Sequence, residues 1–171
     1  MKKIFFVIAV VLAVLAVYYL RLGIATPPPN NQGTSCDMSL WEHVYHGRFP
    51  SAEDRLEVIN PCLTITGTIV SARPEKDGDW HIQLDLDSEY RSLLNQANLD
   101  KQEGYLVMEP MCSNHVSQAD TLEEGVCDSF SQDIFDPGLR GHRVTATGAY
   151  VIDRQHGWME LHPVTSIVPI Q

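Results

Sequence analysis

"HRVTATGAYVIDRQHGWMELHPVTSIV", residues 142 to 168, reads as two strands joined by a tight turn, and this closing hairpin decides the architecture. β-branched and aromatic residues fill both arms, and "RQHG" supplies the turn chemistry between them. Successive side chains on a strand point to opposite faces. Trp158, Glu160, His162 and Val164 therefore share one face, and Met159, Leu161 and Pro163 the other. The Met and Leu face suits a protein interior, which leaves Glu160 and His162 outside, while His156, just before Gly157, falls in the turn.

Working outward, "CLTITGTIVSA" at 62 to 72 alternates around β-branched residues, and "RPEKDGD" at 73 to 79 ends in an Asp77-Gly78 turn. "WHIQLDLD" at 80 to 87 then puts Trp80, Ile82, Leu84 and Leu86 on one face and His81, Gln83, Asp85 and Asp87 on the other. "SEYRSLLNQANL" at 88 to 99 carries one or two helical turns, and "GYLVMEPM" at 104 to 111 reads as a third strand with Tyr105, Val107 and Glu109 on one face. A polar connection from 112 to 141, with a short helix in "SQADTLEEG", precedes the closing hairpin; residues 37 to 61 mix a weak helical pattern with a loop.

Five strands in this order predict a mainly β fold: a five-stranded Greek-key barrel of the oligonucleotide/oligosaccharide-binding (OB) type with short helices, its third strand lying between the second and the fifth. The expected organisation is a targeting segment at 1 to 25, a Pro-rich linker at 26 to 35 and the OB-like domain at 36 to 171.

The N-terminus carries Lys2 and Lys3, an apolar run from Ile4 to Leu20, and Arg21. Such a run serves either as a signal peptide cleaved after Ala25 or as a transmembrane helix; Tyr18, Tyr19 and Arg21 at its end suit a retained anchor, with everything after Arg21 exported. Four cysteines, all beyond this run, then predict disulfides, and of three pairings Cys36 with Cys62 and Cys112 with Cys127 each close a local segment.

Lys2, Lys3 and Arg21 account for three of the 12 basic residues, so from residue 27 onward nine face 22 acidic ones, a formal charge of −13. That surface repels phosphate and excludes nucleic acid as a partner, leaving cations, small molecules and the membrane at the N-terminus.

If the third strand lies as expected, His81, Glu109, Glu160 and His162 share one sheet face, with His156 and Asp153 at its rim. Imidazole and carboxylate together suit a divalent transition metal such as zinc, iron or manganese, and suit equally a proton-sharing network or solvated cross-strand contacts. The metal reading takes His81, Glu109, Glu160 and His162 as ligands, with Trp158, Asp79 and His156 contacting a bound small molecule. A metal-dependent hydrolase would use Glu160 as general base, and a structural envelope or interaction module would need no site at all. His43-x-x-His46 reads as a partly buried turn, Asp85, Asp87 and Glu89 lack a calcium loop, and Asp120, Glu123 and Glu124 form a solvated helix face.

"DGDWHIQLDLD" (77 to 87), "NQANL" (95 to 99), "GYLVMEPMC" (104 to 112) and "VIDRQHGWMELHPVTSI" (151 to 167) resemble an uncharacterised family of exported bacterial and archaeal OB-fold-like proteins marked by D-G-D-x-H and H-G-W-x-E-x-H-P elements. The resemblance spans residues 36 to 168. It implies kinship and export, and matches Asp77, Asp79, His81, Glu109, His156, Trp158, Glu160 and His162 as motif positions without assigning their roles.

Overall fold

Five strands carry the chain: β1 (Leu56–Pro74), β2 (Trp80–Leu86), β3 (Leu106–Met108), β4 (Arg143–Asp153) and β5 (Met159–Pro169). The computed structural model describes residues 36 to 47 and 55 to 171, so the expected anchor at 1 to 25 and linker at 26 to 35 lie outside the described residues. Among those residues no helix is long and apolar enough to cross a membrane.

The strands form a mixed sheet whose hydrogen bonds run full circle in the order β1-β2-β3-β5-β4. All pairings are antiparallel except β3 with β5, where Val107 faces Glu160 and Met108 faces Leu161. The third strand thus lies between the second and fifth, as expected. Between β2 and β3 sit a 3-10 helix (Ser88–Leu93) and helix α1 (Gln96–Lys101), whose capping box joins Asn95 to Asn98. Helix α2 (Ala119–Glu124) belongs to the long connection before β4.

The first strand begins at Leu56, six residues before the expected start at residue 62. Its opening residues pair with the far end of β4, Leu56 with Asp153 and Val58 with Val151, and the register slips twice before Leu63. Pro61 has no N–H to give the ladder, and an irregular pairing accommodates it. The irregularity obscures period-two alternation, which is why the segment read as loop.

Inside the ring Ile65, Ile69, Ile82, Leu84, Leu106, Met108 and Leu161 are sealed, each contributing about 1.5–3 kcal/mol by leaving water. Val164 joins this interior, contrary to its expected place on the face of Glu160. The register of β5 against β4 steps from Val164–Gly148 to Leu161–Tyr150, three residues on one strand against two on the other. That extra residue inverts the parity beyond His162.

A second apolar cluster packs on the outside of the ring: Leu40, Val44 and Leu56 with Met111, Cys112, Ala149 and Val151. It belongs to a cap made of the 3-10 helix Met38–His43 and the β3–β4 connection. Two disulfides staple the cap, Cys36–Cys62 and Cys112–Cys127, the pairs expected from the sequence, and none of the four cysteines is free. They suggest an oxidising, extracytoplasmic environment. His43 belongs to this cap too, stacking on Phe130 at 3.6 Å and donating from Nδ1 to Val126 O.

Cys112 and Cys127 stand 15 residues apart, a loop whose closure stabilises by about 3 kcal/mol on the chain-entropy account. Replacing both with serine is expected to lower unfolding free energy by about that amount, measured by urea titration against the parent chain.

Candidate metal centre

Two tight turns set the geometry. Gly78 at φ 101° lets the β1–β2 connection reverse, with Asp79 N–H donating to Asp77 Oδ1 and Glu75 N–H to Asp79 O. Gly157 at φ 88° closes the β4–β5 turn, whose Gln155 and His156 N–H groups both donate to Asp153 Oδ1. Glu75 and Asp77 thus stand on the β1–β2 turn and His156 and Trp158 on the β4–β5 turn, and the two turns face each other across one cleft.

Parity does the rest. His81 on β2, Glu109 one residue past β3, and Glu160 and His162 on β5 share one face, as the sequence predicts. That face is not solvated, however: His81 is 1% exposed, Glu109 5%, and Glu160 and His162 are fully sealed. The disulfide-stapled cap lies across part of that side, and Gln102 and Trp158 pack on His81 and Glu160, tertiary contacts that strand patterning alone does not disclose.

Glu109 joins the two histidines, its Oε1 standing 3.3 Å from His81 Nδ1 and its Oε2 3.0 Å from His162 Nδ1. Burial alone would raise its pKa, but hydrogen bonds from both imidazoles, with the charges of His162 and Arg55, outweigh burial and hold the carboxyl well below the usual range. His162 also lies 3.2 Å from Glu160 Oε1. Burial disfavours its charged form, yet Glu109 and Glu160 push it up to about 10. Glu160 shifts the other way, raised by burial and by the charge of Glu109. His81 is raised by Glu109 against the opposing effect of burial.

The second nitrogen of His81 is fixed by Gln102. Its Nε2–H donates to Gln102 Oε1 over 3.1 Å, and that oxygen also accepts from Gln83 Nε2. Nδ1 therefore points at two carboxylates, Glu109 and, 3.7 Å away, Glu75. Glu75, His81 and Glu109 can place one ligand atom each within 4.8 Å of one another, and so can Asp79, Glu109 and His162. The first group opens on a cleft of about 750 Å³ lined also by Arg55, His156 and Trp158.

Glu160 belongs to neither group: Trp158 Nε1–H donates to its Oε2 over 2.8 Å, while His162 occupies Oε1. A sealed carboxylate engaged at both oxygens does not front the cleft as a general base. Asp79, expected to touch a ligand, is buried beneath the cleft and accepts from Cys112 N–H over 2.8 Å. Burial and the charge of Asp77 push its pKa well above the ordinary value. His156 and Trp158 do line the cleft, their rings stacked at 4.3 Å.

Sequence reading missed three participants. Glu75 lay hidden in a turn, though the pairing of Arg73 with His81 across the hairpin would have placed it beside His81. Gln102 ends helix α1 with no motif to mark it. Arg55 is 5% exposed, bonds Asp153 Oδ2 through Nε and Nη2 at 3.0 Å each, and lends positive charge to Glu109 and Glu160. Asp85, Asp87 and Asp120 serve Arg91, Arg143 and Tyr45 respectively. No protein-family model, curated protein or solved structure matches the chain.

The folded pKa of His162, pushed up to about 10, stands above the ordinary value of 6.5. Its contribution to stability is therefore complete below pH about 6.5 and is lost as pH rises through about 10. Chelator-treated protein is expected to show a falling Tm from pH 7 to about 10, and His162→Gln a flatter profile, by differential scanning calorimetry.

Proposed function

We propose that this chain is an extracytoplasmic metal-binding domain on an OB-like Greek-key barrel, tethered by its N-terminal segment. In this reading Glu75, His81 and Glu109 hold one divalent transition-metal ion at the floor of the cleft. The observation that carries it is the His81 ring. One nitrogen is committed to Gln102, and the other faces carboxylate oxygens at 3.3 and 3.7 Å. Ligand atoms on a tetrahedral ion with bonds of roughly 2.0–2.1 Å stand roughly 3.4 Å apart, between those two distances.

Each residue has a distinct part. Gln102 orients the imidazole and fixes its tautomer, as outer partners of metal-binding histidines do. Glu109 supplies a charged oxygen that the surrounding cations keep ionised. Glu75, half-buried and paired with Arg73 at 3.0 Å, supplies a third donor at the rim. One imidazole with two carboxylates suits zinc, manganese or iron(II) and disfavours soft ions.

Three protein donors leave room on the cleft side for water or a small ligand, and a bound ion would polarise an oxygen placed there. The stacked His156–Trp158 pair offers an apolar wall for that ligand. Kinship with the exported family of D-G-D-x-H and H-G-W-x-E-x-H-P proteins belongs to the same proposal.

Protein purified without a histidine tag, stripped and titrated with zinc, is expected to bind at the cleft with a rise in Tm corresponding to about 2.7 kcal/mol at a hundredfold excess over Kd. His81→Ala abolishes that binding, and Gln102→Ala weakens it about 10–100-fold without removing a ligand. No stoichiometric metal by mass spectrometry, with an unchanged Tm, leaves a purely structural module.

A further inference from the structure

Behind the cleft the cluster continues inward, and there His162 presents an unusual atom. Its Nδ1 is shared between Glu109 and Glu160, but Nε2 is sealed from solvent and has no hydrogen-bond partner. A buried polar nitrogen left without a partner costs about 1–3 kcal/mol, so such an atom on a fully buried ring calls for an occupant.

The acid that faces it is Asp79, whose Oδ2 lies 3.9 Å away. That is too far for a hydrogen bond. It is close to the separation of two ligands on one ion, roughly 3.4–3.9 Å for bonds of roughly 2.1 Å at angles from tetrahedral to about 135°. Asp79 is itself held in place, because its other oxygen accepts from Cys112 N–H. Glu109 completes the set, since Asp79, Glu109 and His162 can each place a ligand atom within 4.8 Å of the others.

We propose that Asp79, Glu109 and His162 form a second divalent-metal site, sealed behind the cleft, with Glu109 bridging the two ions. Glu109 Oε1 faces His81, while Oε2 accepts from His162 Nδ1–H and would turn toward the inner ion when one is bound at Nε2. A carboxylate used in this way holds paired ions roughly 3.5–4 Å apart. With Nδ1–H directed at carboxylates, an ion would displace the proton of Nε2 and meet the lone pair left there, with Glu160 as the outer partner of the ring.

The two ions differ in access. All three residues of the inner group are buried, whereas the outer group includes half-buried Glu75 on the cleft. The inner ion is thus shielded from the cleft, joining the start of β2, the end of β3 and β5. It exchanges slowly and has no face for a ligand; the outer ion exchanges freely. The inner site depends on the metal-binding reading above only through the shared Glu109.

The test is metal stoichiometry of the whole chain, purified without a histidine tag. Zinc titration followed by mass spectrometry is expected to give two equivalents, one removed rapidly by EDTA and one slowly. Asp79→Asn keeps an oxygen for Cys112 N–H and reduces the count to one, the rapidly exchanging ion; Glu75→Gln leaves only the slow ion. Should Asp79→Asn fail to fold, manganese(II) loading of the parent chain provides an independent reading. A spin-coupled pair in electron paramagnetic resonance supports the bridge, and an isolated six-line spectrum at saturation overturns it.

Saturation at one zinc, retained in Asp79→Asn, overturns the inner site and leaves the cleft ion standing. A single zinc lost in Asp79→Asn but kept in Glu75→Gln overturns the cleft ion and supports the inner one. No bound metal overturns both.

Discussion

A carboxylate taken out of water must be neutralised where it stands, and Glu109 is the point at which this chain meets that requirement. Its two oxygens face His81 and His162, and Arg55 adds positive charge from the side. Each of these groups arrives from a different strand or from the start of one. The positions of β1, β2, β3 and β5 are thus coupled through one side chain, because displacing any of them leaves a sealed charge without its partner. Breaking such a pair costs far more than the pair itself contributes, since the remaining charge stays buried. The cluster therefore acts more as a constraint on geometry than as a reservoir of stability.

The cap makes the constraint possible. A sheet face bearing two histidines and two carboxylates would, in water, be an ordinary polar surface with weak cross-strand contacts. Laying the Met38–His43 turn and the β3–β4 connection across part of that side excludes water and strengthens every interaction beneath. These covering segments are short on regular structure, with helices of only six residues, so disulfides take over the work that longer elements would do. Burial itself drives the shift at Asp79, whereas at His162 and Glu109 it opposes a shift set by their mutual charge pairing.

Much of this was legible in the chain. Period-two alternation put Ile82 and Leu84 inside and His81 on the opposite face; the same parity put Met159 and Leu161 inside and Glu160 and His162 opposite. The place of the third strand between the second and the fifth came from assigning the OB-type topology, which residue patterns alone do not supply, and the disulfides from the shortness of the loops they close. What alternation could not carry was anything set by distant packing. It read Glu160 and His162 as outside because strand parity distinguishes two faces and says nothing of what lies over either. It misplaced Val164 because a residue inserted in β5 inverts the pattern locally. Arg55, Glu75 and Gln102 sit at element ends, where periodicity has no grip, and their roles emerge only from coordinates.

The parallel pairing of β3 with β5 carries a consequence for when the cluster comes into being. It matches only Val107 with Glu160 and Met108 with Leu161, a short seam joining segments some fifty residues apart in the chain. Hairpins such as β1–β2 and β4–β5 form from neighbouring segments, whereas this seam must wait for the whole loop between its halves to be organised. Glu109 lies one residue beyond one side of the seam and His162 one residue beyond the other, and Glu109 N–H donates to Leu161 O across it. The acid and its imidazole partner therefore meet only where this long-range seam is closed, and a chain in which it is open holds the two side chains apart.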